Sequence, residues 1–273
     1  MVEGKYLGIL SMPNMLFHFH LFQVFRIVIE KSKVKSQNSH TSKRSLHVDV
    51  WRGGACVLMI FYHFCYDLNY LQIVAFDFYH HPFWLGLRTL IISLFLGIVG
   101  ISLHLATANG LRVQAFVKRL VILLGCAILI SVVSFILFHK RFIFFGILHF
   151  IVLANVLGLL FRRWLWFNLV SGCSLIIVGI SVQHSLFNQP FLQWIGLMTH
   201  KPFTEDYVPL LPWFGVVLVG MGLGKYLHEK WFIYGQIRSA WGQRQLVWMG
   251  RHSLLVYMLH QPILLGGLWM LWK

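Results

Sequence analysis

Leu46–Leu71, LHVDVWRGGACVLMIFYHFCYDLNYL, is long and apolar enough to cross a bilayer, yet it carries Asp49 and Arg52 at one end and His63 and Asp67 towards the other. Ionisable groups in or beside hydrocarbon cost at least ~2.5–3.5 kcal/mol each on insertion scales. A spanning segment holds four of them only where partners or a water-filled site receive them. Imidazole exchanges a proton near neutral pH, and guanidinium pairs with phosphates and carboxylates. Asp67 follows His63 by four residues, which puts both on one helix face. The rest of the chain is read as what surrounds this segment.

The 273-residue chain is 58% hydrophobic and 16% aromatic but only 11% charged, and its mean hydropathy is +0.71. Soluble domains average about 25% charged residues, so the composition describes an integral membrane protein. The formal charge of +15 does not point to nucleic acid, because the Lys and Arg residues sit in short segments between apolar runs, as in the cytoplasmic loops of a polytopic membrane protein. Cys56, Cys65, Cys126 and Cys173 lie inside apolar runs without a C-x-x-C pair. That arrangement indicates packing residues, not a disulfide framework or a zinc site.

The sequence predicts an all-α, polytopic transmembrane bundle. With ~20 residues needed per crossing, seven spans are expected at about 48–68, 84–106, 117–138, 142–161, 165–182, 208–227 and 247–271. Residues 1–45 form an N-terminal extension ahead of the 46–273 domain. Its Tyr6–Ile29 stretch is an extra helix or sequence read from an upstream start, and Glu30–Ser45 is a basic flank. If that flank is cytoplasmic, the inside loops hold Arg112, Lys118 and Arg119, then Arg162 and Arg163, then Lys225, Lys230, Arg238 and Arg244, while the outside loops hold Lys140, Arg141 and Lys201. This bias places the start of the first span inside and the C-terminus outside. Two outside loops then stand out: Asn69–Phe83, with Asp77, His80 and His81, and Gln183–Tyr207, which leads into a span whose start is broken by Pro209 and Pro212.

With depth counted at ~1.5 Å per residue, His63, His149 and His260 fall in the outer or middle part of their spans. They are expected to line one cavity opening outward. Asp49, Arg52, His104 and Arg251 form a mixed-charge set at the inner ends. Each of these has a plainer reading: membrane histidines often hydrogen-bond between helices at ~0.6 kcal/mol per bond, and Asp49 with Arg52 is an i,i+3 pair that neutralises a helix end. Trp84, Trp164, Trp166, Trp213, Trp231 and Trp248 lie near span ends, as interfacial belts do. The fifteen histidines also admit a membrane cytochrome, although no spacing demands one.

The first span, V-D-V-W-R-G-G-A-C-V-L-M-I-F-Y-H-F-C-Y-D-L, resembles the opening helix of the heparan-alpha-glucosaminide N-acetyltransferase catalytic-domain family, through Asp49, Arg52, Gly53, Met59, His63, Tyr66, Asp67 and Leu68. The resemblance continues at His81–Leu87 (H-x-x-W-x-G-L), Phe145–Phe150, Asp206–Gly215 (D-Y-V-P-L-L-P-W-F-G) and Gly250–Pro262 (G-R-H-S-L-L-V-Y-M-L-H-Q-P), and covers about residues 44–272. The chain lacks the large lumenal domain of the animal lysosomal members, so the family's acyl-transfer chemistry carries over more readily than heparan-derived glucosamine as substrate.

The resemblance implies transfer of an acetyl group from cytoplasmic acetyl-CoA, as co-substrate, to an amino sugar or another saccharide, free or lipid-linked, on the outer side of a bacterial inner membrane. His81 matches the family's catalytic histidine, His80 is its neighbour, and Asp67 or Asp77 would orient the imidazole. Arg52, Arg112 and Arg251, with Asp49 in the same inner set, would receive CoA, and His63, His149, Trp213, Tyr257 and His260 would line the path between. No metal or haem and no nucleic-acid partner is expected, and a homodimer stays open. The alternative is a transporter or flippase for an envelope intermediate, in which the arginines serve topology alone.

Overall fold

Long apolar runs can satisfy their backbone groups in hydrocarbon only as helices, and helices with short connections are what the chain forms. The computed structural model describes residues 45–108, 110–233 and 241–272, and no strand occurs among them. The helices are α1 (Leu46–Tyr70), α2 (Pro82–Thr107), α3 (Val113–Phe138), α4 (Ile147–Gly158), α5 (Leu165–Ser181), α6 (Leu210–Ile233), α7 (Trp241–Arg251) and α8 (Ser253–Trp272). The expected N-terminal extension, apart from Ser45, lies outside the described residues.

Four stretches are long and apolar enough to cross a membrane: Pro82–Thr107, Val113–Arg141, Leu210–Leu227 and Ser253–Leu271. The expectation of seven is therefore met for four. α1 has the length, 25 residues, but its acidic and basic groups lower its hydropathy. The fourth and fifth expected spans are shorter apolar helices, Ile147–Phe161 and Trp166–Ser181. In the fourth, residues 142–146 are apolar but turn instead of coiling, because Ser131 Oγ and Ser134 Oγ engage the Ile143 carbonyl and N–H at 2.6 and 2.9 Å. The seventh, 247–271, is two helices interrupted at His252. The polar Gln243, Arg244 and Gln245 make α7 amphipathic, so it ends where the apolar α8 begins. The break expected ahead of the sixth span is present as a non-helical Leu211, φ −103° and ψ 135°, inside α6.

α6 is the central helix and packs against α2 on one side and α5 on the other. The α2–α6 approach is close because Gly100 faces the Val217 carbonyl and Gly220 faces the backbone of Gly97; a Cβ at either glycine would overlap those atoms. Leu96, Leu103, Phe150, Val217, Leu218 and Met221 fill the core around this contact. α1 stands beside α2 and carries α7 and α8 on its other flank. There, Gly53 abuts the Leu246 backbone and Gly250 abuts that of Asp49. The helix with the polar face is thereby clasped between the terminal pair and the core.

Candidate functional site

The polar side chains fall at three levels along α1. Its C-terminal end passes through Gln72, φ 58°, into the loop before α2. Asp77 organises that loop: its Oδ1 accepts the backbone N–H groups of Tyr79 and His80 at 3.1 and 2.9 Å and lies 3.1 Å from His80 Nδ1. The His80 amide, followed by the His80 ring and the Tyr79 amide, holds the Asp77 carboxyl below the usual carboxylate range. His80 is therefore the imidazole that a carboxylate orients, and its Nε2 is directed away from that partner. His81 is the N-cap of α2, with Pro82 at the first helical position; its Nδ1 accepts the Phe83 N–H at 3.2 Å. A neutral His81 therefore carries its ring proton on Nε2, and it must release the cap before its basic nitrogen can act. Behind both histidines, Trp84 and Phe78 are buried in an aromatic cluster with Tyr62, Tyr66 and Phe76.

At the middle level the rings of His63 and His260 meet edge to face at 4.8 Å. Asp67, buried on the same face of α1 as His63, accepts from Gln261 Nε2 at 2.9 Å. It does not reach His81 or His80. One turn earlier on α8, Tyr257 donates to Asp206 Oδ2 at 3.4 Å, and the Ile147 N–H donates to the same oxygen at 2.9 Å. Asp206 thus caps α4, where the N-terminal dipole favours a carboxylate. Burial pushes its carboxyl above the usual range, while the Ile147 N–H and Lys201 act in the other direction.

His149 lines the same narrow cleft as Asp206 and Tyr257, but both of its ring nitrogens are engaged. Nδ1 accepts the Gly146 N–H at 3.3 Å, and Nε2 lies 3.1 Å from Ser131 Oγ, which itself donates to the Ile143 carbonyl. That chain closes with His149 neutral and protonated on Nε2. Trp213 packs against the main core.

At the N-terminal end of α1 Asp49, 1% exposed, is flanked by Arg52 Nη1 at 3.6 Å and Arg251 Nε at 3.4 Å. Arg52 Nη2 also donates to Ser102 Oγ at 2.7 Å. The pair expected within α1 is therefore a three-residue set reaching to α7. A phosphate arriving here would have to compete with Asp49 for Arg52, whereas Arg251 is half exposed. Arg112 lies exposed ahead of α3, and no described contact joins it to the set. His104 is buried on α2 beside Gly224.

The family pattern described as heparan-alpha-glucosaminide N-acetyltransferase, catalytic, matches residues 44–262. The chain belongs to that family. Membership makes it a member of a membrane N-acetyltransferase family whose donor is acetyl-CoA. No curated protein and no solved structure gives a significant match. The matched region contains all three polar levels and both loop histidines.

Within this N-acetyltransferase domain, the structure brings His63 to His260, Tyr257 to the His149 cleft, and Asp49 to Arg52 and Arg251. No described hydrogen bond or ion pair joins Arg112, Trp213 or the His81 ring to those groups. Gln261, Asp206, Ser102 and Ser131 join the set beyond the residues expected. Gln261 and Asp206 carried a signal, an amide beside a histidine in an apolar helix and an acid just ahead of a broken span. Ser102 and Ser131 carried none, because serine is commonplace in apolar helices.

Proposed function

We propose that the protein is an integral membrane acetyltransferase that takes acetyl groups from acetyl-CoA on the cytoplasmic side and transfers them to an amine-bearing saccharide on the outer side. The observation that carries this reading is the family match over residues 44–262 together with two polar sets at opposite ends of one helix. Asp49 lies 21 residues before Tyr70, the last residue of α1, so the Asp49–Arg52–Arg251 set and the start of the His80–His81 loop are separated by roughly 30 Å at 1.5 Å per residue. That is the span a donor on one side and an acceptor on the other require.

In this reading the chain crosses seven times with the start of α1 inside: the Lys and Arg bias of the loops supports that side, and α1, α4 and α5 are counted as crossings beside the four long apolar stretches. In the reaction, the amine adds to the thioester carbonyl, CoA leaves as its thiol, and an imidazole removes the amine proton. Two imidazoles stand at the outer end. His80 is oriented by Asp77 and acts directly as base. His81 acts as base or acyl carrier once its cap to Phe83 opens. Arg251, half exposed, is the inner cation that best suits the CoA phosphates.

The test is release of free thiol from acetyl-CoA by the purified protein with a panel of amines. His80→Ala, His81→Ala and the double variant are expected to abolish transfer in at least one single variant and in the double. Unchanged transfer in all three would remove the loop histidines from the mechanism. Ligand flux without thioester turnover would favour a transporter instead.

A further inference from the structure

Between α1 and α8 lies a group of polar side chains whose hydrogen-bonding capacity is half used. His63 and Asp67 are one turn apart on α1, and His260 and Gln261 are successive on α8. The two imidazoles touch at 4.8 Å, Gln261 Nε2 donates to Asp67 Oδ1, and His260 Nδ1 donates to the Tyr257 carbonyl at 2.6 Å. Four buried atoms then have no protein partner: His63 Nδ1, Asp67 Oδ2, His260 Nε2 and Gln261 Oε1. Asp67 is 1% and His260 9% exposed. A buried polar atom left unmatched costs about 1–3 kcal/mol, so four in one seam are a strong departure from ordinary packing.

The four atoms share one character. The Gln261 amide oxygen accepts only, as does an ionised Asp67. His260 Nε2 presents a lone pair, because the ring proton is on Nδ1, and His63 Nδ1 accepts in one of its two tautomers. Nor does a cation answer Asp67, since the acids in the ion pairs of the described residues are Asp49, Asp77 and Glu205. A single partner that met all of them would bring several hydrogens on one atom, and positive charge. A hydroxyl brings one hydrogen, and water brings two without charge. A protonated primary amine brings three and the charge.

We propose that the α1–α8 seam is a binding site for a primary ammonium group, formed by His63, Asp67, His260 and Gln261. An amine is what an N-acetyltransferase modifies, so under that reading the acceptor is one source of the group; the binding itself does not depend on the reading. An amino sugar and an aminophospholipid headgroup present the same group.

The experiment uses the full chain in phosphatidylcholine nanodiscs, whose lipid carries no primary amine. Methylammonium is titrated against tetramethylammonium, which has the charge but no N–H, with the imidazole nitrogen resonances of the unmodified protein as readout, assigned from His63→Asn and His260→Asn. Methylammonium is expected to shift both ring signals saturably and tetramethylammonium to leave them in place. Asp67→Asn and Gln261→Leu should each weaken binding by roughly tenfold or more, a change of about 1.4 kcal/mol.

Equal shifts from both cations, no shift from methylammonium, or saturation unaltered in both variants would overturn the site and leave internal water as the partner of these atoms. Competition by glucosamine, or by phosphatidylethanolamine added to the disc, would identify the source of the amine, and either supports the site. Ammonium binding without acetyl transfer would uphold the site and defeat the acetyltransferase reading; transfer without binding would do the reverse.

Discussion

His81 sits at a helix cap, and a cap and a base make different demands on the same ring. Asparagine accepts the Phe83 N–H as histidine does, but it cannot take up a proton. If His81 is catalytic, His81→Asn and His81→Ala both lose about 10²–10⁴-fold in acetyl transfer, while thermal unfolding separates them, because losing a cap costs about 1 kcal/mol and only alanine loses it. A full-rate asparagine variant would assign His81 to the cap and the chemistry to His80.

Asp77 supplies a pH test in the same loop. Its folded carboxyl is held below the usual range by the His80 amide, so its contribution to loop order is present above the unfolded value of about 3.9 and is lost as pH falls through the lower folded value. Amide exchange at Tyr79 and His80 should be faster in Asp77→Ala than in the parent at pH 6, and the difference should close as the pH is lowered below about 3.9. A difference that persisted in acid would mean the loop is held by something other than this carboxylate.

At the scale of elements, the glycine contacts decide which helices can stay in place. A Cβ at Gly250 would overlap the Asp49 carbonyl, and one at Gly53 would overlap that of Leu246. Gly250→Ala is therefore expected to push α7 off α1, costing about 1–3 kcal/mol by overpacking and separating Arg251 from Asp49, whereas Gly54→Ala, with open space around it, should be neutral. Unfolding midpoints in detergent check both; an undisturbed Gly250→Ala would mean the two helices are not in register as described.

Much of this level was legible in the residues. Charges inside an apolar run identified α1 as a helix needing partners, and the prolines at 209 and 212 marked the break in α6. The interruption at His252 was not legible, because hydropathy reports how apolar a window is and not whether its backbone continues. The turn at 142–146 escaped for the same reason: its side chains are apolar, and the hydroxyls that bend it come from Ser131 and Ser134 on another helix. His149 looked like a site residue because a buried histidine is costly; the Ser131 hydroxyl that satisfies it lies 18 residues away.

For the whole molecule the testable quantity is which side each loop faces. With single cysteines in a background lacking Cys56, Cys65, Cys126 and Cys173, a membrane-impermeant maleimide added to intact cells should label a cysteine at Tyr79 or His200 and spare one at Arg112 or Arg163. Labelling of the second pair alone would invert the topology and place the imidazoles beside the cytoplasmic donor. The reversal would also leave the positive loops outside, against the usual bias. Both loop histidines and the Asp49–Arg52–Arg251 set belong to the region matched by the family pattern, so this result bears directly on the side from which a donor would reach each of them.

The contacts of α1 also set an order of events at the ribosome. Asp49 is completed by Arg251, 202 residues later, and Asp67 by Gln261, 194 residues later. At about 5–20 residues per second, α1 leaves the ribosome roughly 10–40 seconds before those partners exist. A helix whose Asp49 has only Arg52 and whose Asp67 lacks Gln261 for so long is a poor occupant of lipid, and its nascent form must wait beside the insertion machinery or within another protein's shelter. Chains halted before α7 would then accumulate with α1 unprotected, which makes the far end of the molecule the checkpoint for the near one.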